Sequence, residues 1–266
     1  MSCSLPPELV DHIVDHLHDD PTALKACCVV AKSWVPRTRS HLFARVKFDT
    51  SKNPVEHWMK IFPDPLNSPA HHTRSLSICG LPVFTSPDVD VRGWIRTFHN
   101  LVHLHLDRIT WEDHEAPLVP FHGLSPTVRS LRLTRTSFEV FDLICSFPFL
   151  EDLVITSILP ESGGAERNAH LVSSPKLTGS LGLKVLKGIR PVVRRLLDFP
   201  NGLHFADITV LCLNGEDTTS AKALVSKCSD TLESITLYCL GAFPSASMIN
   251  QCLTTARCRS HWGSPP

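Results

Sequence analysis

The sequence predicts an α/β protein in two parts, a small N-terminal three-helix module followed by an α/β solenoid with a parallel concave sheet. Three observations predict it. An apolar stripe at helical spacing opens the chain in LPPELVDHIVDHL, residues 5–17. Seven short Leu-x-Leu elements then recur at similar intervals, and helical stretches lie between them. With 266 residues, 42% of them hydrophobic, the chain is long enough to bury such a core.

Composition narrows the function classes. Lys plus Arg equal Asp plus Glu at 26 each, and no basic stripe is evident, which argues against a nucleic-acid backbone or an anionic membrane as partner. Glu8, Asp11 and Asp15 interrupt the first apolar stretch too early for a signal peptide. No apolar run approaches the roughly 20 residues of a membrane span. The ten cysteines are scattered with no CxxC pair, so they read as reduced, small apolar residues, Cys27 and Cys28 included, and the expected location is the cytoplasm or nucleus.

The first element is an amphipathic helix. Leu9, Val10, Ile13, Val14 and Leu17 form its apolar side, and Asp11, His12, Asp15 and His16 the other. Pro6 and Pro7 suit a first turn, and Glu8 complements the positive end of the helix. Asp19-Asp20-Pro21 ends this helix and starts the next, with Asp20 as N-cap and Pro21 as first helical residue. The second helix, TALKACCVVAKSW, carries Leu24, Cys27, Cys28, Val30 and Ala31 around most of its surface, which predicts a buried position. Val35-Pro36 restarts the chain into a third helix ending in Leu42-Phe43, and RVKF then alternates like a strand. Three helices in so short a segment supply little core, so the stripe either docks on the rest of its own chain or meets a partner.

The order Leu5-Pro6-x-Glu8, Ile13, Leu17, Leu24, Val30-Ala31-Lys32-Ser33-Trp34 and Leu42-Phe43 resembles the F-box motif over residues 5 to about 48. It departs from the family at Ala31, often cysteine there, and at Pro36, which sharpens the break before the third helix. The resemblance implies that the segment binds the Skp-type adaptor of an SCF (Skp, cullin, F-box) ubiquitin ligase. Adaptor contacts would then come from Leu5, Pro6, Leu9, Ile13, Leu17, Leu24 and Trp34, with apolar anchors supplying most of the binding energy.

Downstream, TRSLSI, LVHLHL, VRSLRL, LEDLVI, TGSLGL, ITVLCL and LESITL line up on Leu76, Leu104, Leu131, Leu153, Leu181, Leu211 and Ile235. Their separations of 28, 27, 22, 28, 30 and 24 residues lie near the roughly 20–29 of leucine-rich repeats. VRGWIRTFHN, FEVFDLICSF, PVVRRLLDF and SAKALVSKCSD read as the intervening helices. An unrelated α/β domain is the alternative, which the seven recurring elements disfavour. The region resembles the irregular leucine-rich repeats that often follow an F-box. It lacks their asparagine three residues after the second strand leucine, having Ile109, Thr136, Ile158, Glu216 and Leu240 there, which predicts a looser arc.

These readings divide the chain into an F-box domain at 1–50, a linker with a short helix around Trp58, Met59 and Phe62 at 51–72, repeats at 73–240 and an irregular tail at 241–266. The tail is expected to carry no further strand and no capping repeat, as a short natural end or a truncated one. PESGGAERNAHLVSSPK, residues 160–176, and TWEDHEAP, residues 110–117, read as surface loops.

No GxxxxGK[ST], GxGxxG, GxSxG or HExxH occurs, and Cys252 and Cys258 lack a second ligand pair, so no catalytic residue, cofactor or metal site is expected. His103 and His105 alternate with leucines and should share the concave face. Contact with a protein target is their expected use, together with Arg132 and Asp152. The analogous positions Ser130, Val154, Ser180, Gly182, Val210, Cys212, Ser234 and Thr236 make a mixed polar surface. The expected function is therefore noncatalytic: a receptor that holds a target protein for ubiquitination by the adaptor and cullin of the ligase. A protein-interaction scaffold working outside the ligase is the alternative.

Overall fold

The computed structural model describes residues 5–49, 55–80, 91–108, 124, 126–136, 143–144, 146–158, 183, 185–189, 208–214, 218–228, 230–238 and 259–260. The protein is a mixed α/β fold with parallel strands, in two compact units. One unit comprises residues 1–104 with 119–127, the other residues 105–118 with 128–266. Among the described residues, no helix is long and apolar enough to cross a membrane.

The first unit begins with α1 (Pro7–His16), α2 (Pro21–Val30) and α3 (Val35–Leu42). Their starts follow the signals in the sequence. Pro7 is the first residue of α1, and Asp20 caps α2 by accepting from the backbone N–H of Thr22 at 2.9 Å and of Ala23 at 3.0 Å. Val10, Val14 and Leu24 form the buried centre of this segment, with Leu17, Trp34 and Leu42 packed around it. The second helix differs from expectation. Only Leu24 and Cys27 of α2 are buried, a single i,i+3 stripe that suffices for packing on α3, and Val29 and Val30 stand 84% and 63% exposed.

Strand β1 (Arg45–Asp49) pairs in parallel with β2 (Ser75–Cys79), setting Val46 beside Leu76 and Phe48 beside Ile78. Between them lies α4 (Val55–Ile61), the helix expected around Trp58. Trp58 sits among Phe43, Phe48, Phe62 and Phe98 with ring centroids 4.9–6.1 Å away, so this part of the core is aromatic rather than leucine-based. Helix α5 (Val91–Ile95) buries Trp94 and Ile95 ahead of β3 (His103–Asp107).

In the second unit, β4 (Ser130–Thr136), β5 (Asp152–Ile158), β6 (Val185–Ile189), β7 (Val210–Asn214), β8 (Ser234–Tyr238) and β9 (Arg259–Ser260) pair in parallel in sequence order. Leu131, Leu153, Leu186, Leu211 and Ile235 stand side by side in the register. The four leucines are fully buried. Register shifts after Leu133 interrupt the β4–β5 ladder.

Two expectations are corrected here. The strand assigned to TGSLGL and centred on Leu181 is instead Val185–Ile189, with Leu186 in the core register. Val185 and Ile189 suit a pleated strand better than Ser180 and Gly182 do. The tail also contributes a short strand, β9, against β8. Of the helices expected between strands, α6 (Thr218–Cys228) corresponds to SAKALVSKCSD, and Leu143 and Ile144 are helical within FEVFDLICSF. PVVRRLLDF, the loops at 110–117 and 160–176, and Cys252 and Cys258 lie outside the described residues.

Four of the strands, β2, β3, β5 and β8, start with the same pair of bonds. The Ala44 carbonyl accepts from the N–H of both Arg74 and Ser75, and that of Arg74 from Val102 and His103. The carbonyl of Arg129 does the same for Glu151 and Asp152, and that of Thr209 for Glu233 and Ser234. Threonine hydroxyls add a third tie, Thr73 to the Phe43 carbonyl at 2.9 Å, Thr127 to Leu101 at 2.7 Å and Thr231 to Ile208 at 3.0 Å. These bonds satisfy backbone carbonyls just ahead of the strands. Strand ends share a bend as well. Gly80, Arg108 and Arg135, each four residues beyond a core leucine, have φ of 79°, 54° and 52°. At the two arginines this left-handed backbone costs about 1–2 kcal/mol each.

Candidate partner-binding surfaces

Helix α1 has two apolar faces rather than one. Val10 and Val14 point into the helical core, and Leu5, just ahead of the helix, Leu9 and Ile13 remain 51%, 50% and 40% exposed. At 100° per residue, Leu9 and Ile13 lie about 40° apart, Val10 and Val14 centre about 100° from their midpoint, and Leu17 falls between the two sets at about 60°. The seven residues expected to meet an adaptor are therefore divided. Leu5, Pro6, Leu9 and Ile13 are on the surface, Leu17 and Trp34 are half-buried against the core, and Leu24 lies inside it at 1% exposure.

A polar staple holds α1 on α3. The Asp15 carboxylate accepts from Arg37 Nε and Nη2, both at 2.6 Å, and lies 2.7 Å from His41 Nε2. Bonding to Arg37, and next to His41, holds the Asp15 carboxyl well below the usual carboxylate range, and the same contact raises the Arg37 guanidinium above its ordinary value. Asp15 is 41% exposed, so solvent screens the pair, and about 1 kcal/mol is its expected contribution. The geometry fixes the helix against rotation, and so fixes which residues face outward. Sequence periodicity gave no sign of this ion pair, whose partners are 22 residues apart.

On the strands, residues alternating with the leucines form a polar face. His103 is exposed and His105 half-buried, on either side of buried Leu104. In the second unit, His105 Nε2 lies 3.4 Å from Thr134 Oγ1, which accepts from Thr156 Oγ1 at 3.2 Å. Arg132 is exposed beside Val154 in the register, and half-buried Asp152 stands beside Ser130. The structure thus joins His105 to the Thr134–Thr156 pair.

Asp107, which sequence reasoning missed, is the one buried carboxylate among the described residues. It accepts from Arg135 Nε at 3.1 Å and Nη2 at 2.9 Å, with Arg108 Nε 3.4 Å away. Both arginines are therefore anchored by the same carboxylate at the bends that end β3 and β4. The acid one residue after Leu106 and the arginine four after Leu131 were the available signals.

Nucleophilic chemistry finds no support at Cys228, a free thiol that burial pushes up to about 12, far from the thiolate form. Among the described residues, no group of three or more His, Cys, Asp or Glu side chains is arranged to hold a metal ion. No protein-family model matches the chain, and no curated protein matches it.

Proposed function

We propose that the protein is a noncatalytic receptor whose N-terminal helices act as an F-box, docking on a Skp-type adaptor of an SCF ubiquitin ligase, while a solenoid of irregular leucine-rich repeats holds a target protein. One observation carries the reading. A helix with a complete inward stripe of Val10 and Val14 also presents Leu5, Leu9 and Ile13 outward, apolar surface that its own core does not use. Exposed large side chains on one helix face suit helix-in-groove recognition. Leu24 and Trp34 then support the docking helix from behind. The receptor contributes proximity, raising the target's effective concentration at the ligase. His105, Arg132 and Asp152 are the described residues of the second unit assigned to the target, with His103 in the first.

The test is co-purification of the full chain with a Skp-type adaptor, comparing wild type with Ile13→Asp and Arg132→Glu. The complex is expected to form with wild type and Arg132→Glu and to be lost with Ile13→Asp. An adaptor complex that survives Ile13→Asp refutes the docking face. A well-folded wild-type chain that ignores the adaptor refutes the ligase role and leaves the scaffold reading.

A further inference from the structure

His12 and His16 are one turn apart on α1, both exposed, with their Nε2 atoms 3.2 Å apart and their rings edge-on. Neither ring has another hydrogen-bond partner among the described residues. Two imidazole nitrogens bound to one zinc at about 2.0–2.1 Å, with an angle of roughly 100–110° between them, lie about 3.1–3.4 Å apart. The observed separation falls in that range. A neutral imidazole pair also forms a hydrogen bond at this distance, so the separation suits either a shared proton or a bridging metal.

We infer that His12 and His16 form a two-nitrogen chelate for a borderline divalent cation of the Zn²⁺ class, on the exposed face of α1. Three features of the helix favour a cation there. His16 lies in the last turn, where the helix macrodipole is negative. Asp11 precedes His12 in sequence, adding negative charge nearby, whereas the Asp15 carboxylate is already paired with Arg37. The i,i+4 spacing is fixed by the helix backbone, so no loop has to order on binding. Three other described histidines are already engaged, His18 with the Asp15 carbonyl and the Asp19 carboxylate, His41 with Asp15, and His105 with Thr134.

Binding needs both Nε2 lone pairs. In the free protein one ring carries the proton of the Nε2–H···Nε2 bond. On binding, that ring changes tautomer, its proton moving from Nε2 to Nδ1, so both rings coordinate as neutral imidazoles and no proton leaves. Water fills the remaining positions of a tetrahedral ion, because the described residues supply no third ligand. By helical geometry the pair occupies the same arc of about 100° as Leu9 and Ile13.

The site stands independently of the adaptor reading, and its test uses zinc chloride alone. The full chain is titrated with Zn²⁺ while the imidazole ¹⁵N resonances of His12 and His16, assigned with His12→Gln and His16→Gln, are followed by NMR. Both Nε2 signals are expected to move at one shared metal concentration. Either substitution should weaken binding at the remaining ring about 100-fold, the loss of an intramolecular second ligand. Because each ring is read by its own signal, metal taken up by other histidines or cysteines does not mimic the result. Unchanged affinity at the remaining ring, or two rings responding at unrelated concentrations, overturns the chelate.

Discussion

Leu9 and Leu24 allow the division of α1 and its neighbour into inner and outer faces to be tested with identical chemistry at both sites. Leu24 is 1% exposed, at the centre of a core that also contains Val10 and Val14. Leu24→Ala removes its burial and leaves a cavity among helices too short to collapse fully, a loss of about 3 kcal/mol. Leu9 is half exposed, so Leu9→Ala forfeits about half of a leucine's burial term and opens no cavity, a loss of about 1 kcal/mol. Native-state hydrogen exchange of α1 and α2 amides reads these losses locally, which a whole-chain melting temperature in a two-unit protein does not. Exchange should accelerate about 100-fold in Leu24→Ala and about fivefold in Leu9→Ala. Under the proposed docking role, adaptor affinity should show the contrast from the other side, Leu9→Ala losing about tenfold as an anchor contact would. Equal acceleration by the two substitutions would refute the two-faced description of the segment.

Three further outcomes follow from the ion pairs and the buried thiol. The Asp15 carboxyl is held below its unfolded value, so its contribution to the helical segment is fully present above about pH 4 and is lost as pH falls through the folded value; Asp15→Asn should flatten the acid limb of a Trp34 fluorescence titration. Arg135→Ala leaves the buried Asp107 carboxylate with the longer Arg108 contact alone, and urea unfolding of the second unit should show a loss of about 2 kcal/mol, whereas Arg135→Lys should recover only part of it. Cys228, raised to about 12 by burial, should resist iodoacetamide in the native chain and react on unfolding, as mass spectrometry of the alkylated peptides will show.

Local chemistry made the N-terminal segment legible. Pro6, Pro7, Asp20 and Pro21 are boundary signals whose physics acts within one turn, and the structure places α1 and α2 where they point. Periodicity also found the core leucines at 76, 104, 131, 153 and 211, because a strand with one buried face repeats every second residue. It failed at Leu181, where a Leu-x-Leu match containing Gly182 was preferred to the β-branched flanks of Leu186. It also assigned a helix an all-round burial that Val29 and Val30 contradict, since apolar content does not say how many neighbours a helix has. The Asp15–Arg37 staple and the Asp107–Arg135 pair were illegible for another reason. Their partners come from different elements, and no short-range pattern links residues 22 or 28 positions apart.

The bonds at the strand starts have a consequence for how this chain tolerates change. Neighbouring core leucines are separated by 22 residues between Leu131 and Leu153 but by 33 between Leu153 and Leu186, yet they meet in register. Alignment is therefore set by the ladder between neighbouring strands, reinforced at β5 by the Arg129 carbonyl, and the length of the intervening segment is left free. Insertions between strands lengthen a closed loop, whose entropy grows only logarithmically with its size, about 0.6 kcal/mol per doubling. A fold wired this way can diversify its connecting segments while its strands keep their places.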